Sequence, residues 1–214
     1  MPHFSFAIFL SLLAIILASG GIYVMLTRRW TSDRRTAALR DWAAEERFTM
    51  RVAPRAELPP ALVSLSSLSP RVEIAFTRGP IVILKLVTVS QPNSRESRWH
   101  VLIRQLDRAW SPAGLRPVGR GESFIDLFAM NGFPSLLTPD RFVAYGVDAR
   151  AARQIAHSSA RGLLPPDVGL MVHGPYVTID FSVRPFDTIE FERMLIVMEQ
   201  IVSHTPAEAE APAG

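Results

Sequence analysis

The stretch Arg71–Val89, RVEIAFTRGPIVILKLVTV, decides how the chain is read. Val72, Ile74 and Phe76 alternate with Arg71, Glu73, Ala75 and Thr77, the period-two pattern of a strand with one covered face. Arg78-Gly79-Pro80 is a turn signal, and Ile81–Val89 is a β-branched run in which Lys85 is the only charge. Two such runs joined so tightly predict a β-hairpin. Downstream, Gln91-Pro92-Asn93-Ser94 supplies another turn, and residues 98–106 alternate well enough for a third strand. The expected start of the domain is therefore an antiparallel meander with strands near 71–77, 81–89 and 98–106.

Residues 107–140 are broken up by Pro112, Gly114, Pro117, Gly119, Gly121, Gly132, Pro134 and Pro139. Between these breakers lies an apolar cluster over 124–137 (Phe124, Ile125, Leu127, Phe128, Met130, Phe133). It reads as core, as a pocket lining, or as a patch resting on a bilayer. A strand is expected over 141–147, then a helix over 148–161 capped by Asp148 and stopped by Gly162 and Pro165-Pro166. Segments 169–173 and 176–183 flank Gly174-Pro175 and read as a second hairpin. Asp187-Thr188-Ile189-Glu190 is a capping-box pattern opening a helix over 187–203. That helix carries Phe191, Met194, Leu195, Met198, Ile201 and Val202 on one face, a stripe expected to pack on the sheet. The fold class is α+β, an antiparallel sheet covered mainly on one face by helices.

Upstream, residues 32–48 read as a helix with Leu39, Trp42 and Ala43 on one side, and 49–70 as a Pro/Ser-rich linker. Before them stands Phe4–Leu26, FSFAIFLSLLAIILASGGIYVML, without a charged side chain. As a helix it is about 35 Å long, enough to cross a hydrocarbon core of about 30 Å with some tilt. A cleaved signal peptide is the alternative, with Ala18-Ser19-Gly20 as a small-residue site, but the apolar run continues through Leu26. Five arginines (Arg28, Arg29, Arg34, Arg35, Arg40) face one acid, Asp33, at the carboxy-terminal end of the span, and none stands at the other. The positive-inside rule then expects the amino terminus outside and the domain in the cytoplasm of a bacterial inner membrane, with Trp30 at the interface. The expected membrane-interface residues are Arg28, Arg29, Trp30, Arg34 and Arg35, drawn to anionic lipid at about 1 kcal/mol per well-placed arginine. Ala7, Ser11, Ala14, Ala18 and Gly21 line one face of the span and could support a homo-oligomer through helix–helix contact. The organisation expected is thus an anchor (1–27), a basic helix and linker (28–70), a domain (71–204) and a tail (205–214) too polar to bury anything.

Composition removes several chemistries. The 214 residues contain no cysteine, excluding disulfides and thiolate sites. Net charge is +3, much of it beside the span, and no basic stripe with interleaved aromatics points to nucleic acid. His3, His100, His157, His173 and His204 show no metal-ligand spacing. There is no G-x-S-x-G elbow, Walker loop or dinucleotide fingerprint, and Gly119-Arg120-Gly121-Glu122-Ser123 lacks the glycine and lysine that would make it a phosphate loop. Asp180 is expected on the solvated face of its strand, opposite Val177, Ile179 and Phe181. No catalytic, cofactor-binding or metal-ligating residue is assigned, and no cofactor is expected.

The segments RRTAALRDWAAEERF (34–48), RFVAYGVDARAARQI (141–155) and VTIDFSVRPFDTIEFERMLIVMEQI (177–201) resemble those of a group of bacterial single-pass membrane proteins of unknown function. The resemblance covers most of the chain. It implies the same architecture, one amino-terminal span and a cytoplasmic α+β domain, and it implies no site. The expected function is a non-enzymatic scaffold, accessory or lipid-surface role, with no particular protein partner indicated. The alternatives are a small apolar-ligand sensor whose pocket is lined from the 124–137 cluster, or an extracytoplasmic domain behind a signal peptide.

Overall fold

The computed structural model describes residues 33–53, 70–88, 96–119, 123–126 and 132–204. The chain divides into two compact units, residues 1–42 and 43–214. Among the described residues no helix is long and apolar enough to cross a membrane. The expected span Phe4–Leu26 lies outside them, as do Ala7, Ser11, Ala14, Ala18, Gly21, Arg28, Arg29 and Trp30. Helix α1 (33–45) buries Leu39, Trp42 and Ala43, the side its sequence pattern selects, while Arg34 and Arg35 are exposed. It ends with Arg47 at φ 59°, where Phe48 N donates to Ala43 O (2.7 Å) and Arg47 N to Ala44 O (3.3 Å). This is a Schellman closure with arginine in the usual glycine place.

Among the described residues seven strands form one antiparallel sheet in the order β1-β2-β3-β4-β6-β5, with β7 also paired to β4. They are β1 (Thr49–Val52), β2 (Arg71–Arg78), β3 (Ile81–Thr88), β4 (Ser97–Pro117), β5 (Ser135–Leu137), β6 (Phe142–Gly146) and β7 (Gly169–Asp180). The β2–β3–β4 meander follows the expected pattern. Strand β1, inside the stretch read as linker, adds to the edge of β2.

Two expectations about the sheet are corrected. First, β4 does not stop near residue 106 but runs to Pro117, pairing with β3 over Ser97–Arg104 and with β6 over Ala113–Pro117. Pro112 is tolerated because it sits where the β4–β7 register shifts, between Trp110 and Ala113, and so leaves no ladder donor missing. Second, Gly174-Pro175 does not turn a hairpin. Both flanking segments belong to β7 and pair with β4, so Gly174 (φ 55°) and Pro175 bend one strand across a bulge.

Helices α2 (Ala149–His157), α3 (Ala160–Leu163) and α4 (Thr188–His204) lie on one face. Asp148 caps α2, its Oδ1 accepting from Ala151 N at 2.7 Å, and Asp187 Oδ1 accepts from Glu190 N at 3.0 Å at the start of α4. A Cβ at Gly146 would come within 2.7 Å of Ala151 C and closer still to Ala152 N, so glycine lets α2 approach β6 directly. The stripe on α4 packs inward at Phe191, Met194, Met198 and Ile201, but Leu195 and Val202 are only half-buried. The opposite face is also covered. Val72, Leu84, Leu86, Trp99, Val101, Ile103, Tyr145 and Met171 form a core closed by Phe124 and Ile125. The sheet is therefore sandwiched between helices and an irregular segment, where the sequence pattern had suggested cover mainly on one side.

Candidate functional site

A concave feature of the domain lies where two strand irregularities coincide. Between Gln105↔Tyr176 and Trp110↔Gly174 strand β4 carries more residues than β7, so Leu106–Ala109 bulges out of the ladder. Across Gly174-Pro175 the side-chain alternation of β7 shifts by one, so that Leu170, Val172 and Val177 all look to the same side. Leu106, Arg108 and Trp110, at period two on the bulge, face them. Ile155 and Ser158 from the end of α2, Ala160 from α3, and Ile201 and Val202 from the last turn of α4 close the roof. The result is an open apolar cleft of about 220 Å³.

Its polar inventory is short. The Ser158 hydroxyl donates to Ile155 O at 2.8 Å, a carbonyl that also accepts from Ser158 N at 3.3 Å. Arg108 is exposed at the rim, and among the described residues its guanidinium makes no ion pair. Asp107, its neighbour, is also exposed but alternates away from the cleft. The walls are hydrocarbon and one indole, so the chemistry available is burial of an apolar group beside a single positive charge.

A second polar constellation sits on the other side of the sheet. Asp180 is 5% exposed, not solvated as expected. Its Oδ2 accepts from Ser123 Oγ (2.6 Å) and Phe124 N (2.8 Å), and its Oδ1 accepts from Ser182 N (3.0 Å) and from the Ser182 hydroxyl. The carboxylate thus pins the 123–126 turn onto the end of β7. The imidazole of His100 is directed elsewhere: its Nδ1 meets Arg184 O at 3.0 Å, and its ring lies against Phe186, with centroids 4.9 Å apart. Burial lowers the His100 pKa, aided by Lys85 and Arg98 and opposed by the Arg184 carbonyl and Asp180. The Ser123 and Ser182 hydroxyls are thus given to the carboxylate and the His100 ring to Arg184 O, without the hydroxyl-to-imidazole bond that nucleophilic catalysis needs. The arrangement is a structural clamp.

A charge network holds the start of α4. Arg184 Nε reaches Asp167 Oδ2 at 3.0 Å and its Nη1 reaches Glu190 Oε2 at 2.8 Å, while Arg193 Nη1 reaches Glu190 Oε1 at 2.7 Å. These partners hold the Arg184 pKa above its ordinary value.

The residues singled out from the sequence do not converge. Arg34 and Arg35 sit on α1, and the other interface and span residues lie outside the described part. In the 124–137 cluster, Phe124 and Ile125 are core and Phe133 packs against them; Leu137 is 69% exposed on the edge strand β5. Leu127, Phe128 and Met130 are outside the described residues. None of the described members lines the cleft. Among the described residues no group of three His, Asp or Glu side chains could hold a metal ion. The cleft went unread because Arg108 and Trp110 lie in the stretch that prolines and glycines obscure, and the rest of the lining is brought together only by the β7 bulge and the ends of α2, α3 and α4. The one available signal was Leu106-x-Arg108-x-Trp110, which continues the alternation of β4.

No protein-family model and no curated protein sequence matches this chain. Among solved structures, it is similar to the crystal structure of the mycobacterial trehalose monomycolate transport factor A, TtfA, at 11% sequence identity and a TM-score of 0.49 over 79% of this chain and 95% of that one.

Proposed function

We propose that the chain is a single-pass membrane protein whose α+β domain has a non-enzymatic role at the lipid surface, as scaffold or accessory subunit. The observation that carries this is the uncharged run Phe4–Leu26 followed by five arginines and one acid between residues 28 and 40. That asymmetry supports an orientation with the amino terminus outside and the domain in the cytoplasm, at a bacterial inner membrane. Arg34 and Arg35 are both exposed on α1, which supports a contact with anionic headgroups. The small-residue face Ala7, Ser11, Ala14, Ala18 and Gly21 supports a homo-oligomer through the span. A reporter fused after Gly214 should be active as a cytoplasmic fusion, and neutralising Arg28, Arg29, Arg34 and Arg35 together should blur or invert that orientation. A reporter active only outside the inner membrane defeats the reading. A mature amino terminus beginning near residue 20 would instead favour the secreted alternative.

A second reading, binding of a small apolar ligand, is favoured by one specific observation. The domain holds an open hydrocarbon-lined cleft beneath the end of α4, in a different place from the 124–137 cluster. Its volume of about 220 Å³ is below the ~300–1,000 Å³ of drug-sized sites, which restricts the ligand to a single chain or ring.

A further inference from the structure

We propose that the cleft takes a free single-chain amphiphile with an anionic head, its hydrocarbon buried beneath α4 and its carboxylate held by Arg108. This rests on the ligand-binding reading above and adds the class of ligand.

Size sets the apolar part. A closed apolar cavity of about 150 Å³ accommodates benzene, so about 220 Å³ suits a medium-length alkyl chain or one substituted ring. Two acyl chains of a bilayer lipid exceed it, which assigns the site to a free amphiphile. Wall chemistry agrees: the side chains that β7 brings round through its bulge are Leu170, Val172 and Val177, all of them hydrocarbon. The head is set by what stands at the mouth. The Ser158 hydroxyl already donates its hydrogen bond to Ile155 O, and among the described residues no acid lines the cleft. Among the described lining residues Arg108 alone offers charge, with a planar donor fork that matches a carboxylate in two parallel hydrogen bonds. The register shift matters because it lifts Arg108 out of the ladder, between two residues, Leu106 and Trp110, that wall the cavity. An anion on Arg108 would therefore extend its chain directly onto hydrocarbon.

The test uses the 214-residue chain in phosphatidylcholine nanodiscs, titrated calorimetrically with octanoate, octanol and octylammonium against empty nanodiscs, so that partitioning into lipid cancels. Octanoate should bind about tenfold more tightly than octanol, and octylammonium more weakly than either. Arg108→Gln should bring octanoate down to the level of octanol without changing octanol itself. Val202→Phe, which fills the cleft from the half-buried edge of α4, should remove binding of both. Octanol binding that Val202→Phe abolishes, with octanoate no tighter or unaffected by Arg108→Gln, would overturn the anionic head and leave the ligand reading standing. A preference for octylammonium does the same. No binding of any of the three to the wild-type chain overturns both. Arg108 is exposed, so its replacement leaves folding out of the question.

Discussion

The two ends of α4 are built on opposite terms. At its start Asp187 caps the helix, Arg184 ties Asp167 to Glu190, and Phe191 sits fully buried among Phe186 (4.7 Å between centroids), Phe76 (5.4 Å) and Phe181 (6.3 Å) in edge-to-face contacts. At its end Ile201 and Val202 roof a cleft whose floor is Leu170, Val172 and Val177. Aromatic rings fill the space between helix and sheet at one end, while short branched side chains over a bulged strand leave it open at the other. A helix secured at one end can present a vacancy at the other without endangering the fold, because the energy that holds it down is concentrated elsewhere.

The largest effect expected from that contrast is at Phe191. Phe191→Ala should destabilise the domain by ~3–5 kcal/mol in denaturant unfolding, since it opens a cavity in a closed aromatic cluster. Val202→Ala should cost less than about 1 kcal/mol, because a half-buried valine beside an existing void has little packing to lose. Comparable losses at the two positions would break the comparison. Next in size, Arg184→Ala should cost about 2 kcal/mol. It leaves the Glu190 carboxylate, 9% exposed in its side chain, with Arg193 alone, and strips Asp167 of its two-point contact. The partial exposure of Arg184 and Asp167 keeps the figure at that level. Unchanged unfolding in Arg184→Ala would mean that the aromatic cluster alone secures the helix.

The secured end was legible in the sequence and the open end was not, for a physical reason. Capping signals, the Asp187/Glu190 spacing and the stripe through Phe191, Met194, Met198 and Ile201 are local patterns, and a helix displays them within a few turns. The Arg71–Thr88 hairpin is equally local. The cleft depends on where two distant strands fall out of register. Gly174-Pro175 reads as a turn in isolation, and becomes a bulge only because β4 continues beside both of its flanks. Pro112 and Pro117 read as breakers until the register shift and the strand end that accommodate them are known. Asp180 was misplaced for a related reason. Alternation tells which residues share a face, but the cover over this face comes from the turn at Ser123–Asp126, far away in the chain. Leu195 shows the limit of the helical pattern itself: it belongs to the apolar stripe yet sits at the stripe's margin. Leu195→Ala should therefore cost about 1–2 kcal/mol, between Val202→Ala and Phe191→Ala. A loss as large as that of Phe191→Ala would show that the margin of the stripe is core after all.

The smallest effect concerns pH and again separates the two ends. His100 lies beside Phe186 and Phe181 at the secured end, with its Nδ1–H given to Arg184 O, and among the described side chains no histidine lines the cleft. Because burial lowers its folded pKa below the unfolded value of about 6.5, the folded domain binds fewer protons there than the unfolded chain does. The sign follows: the stability contributed by neutral His100 is complete above about pH 6.5 and is lost as pH falls from there through the lower folded pKa. The thermal midpoint of the wild-type chain should drop across that window, and the drop should shrink in His100→Gln, which cannot titrate. Loss of the charged form's misfit, not loss of the ring's packing, is what the difference between the two curves isolates, since packing lowers the midpoint equally at every pH. Octanoate affinity in the cleft, corrected for its own ionisation, should not follow the His100 titration. Parallel pH profiles for stability in wild type and His100→Gln would remove the histidine from the account of the secured end.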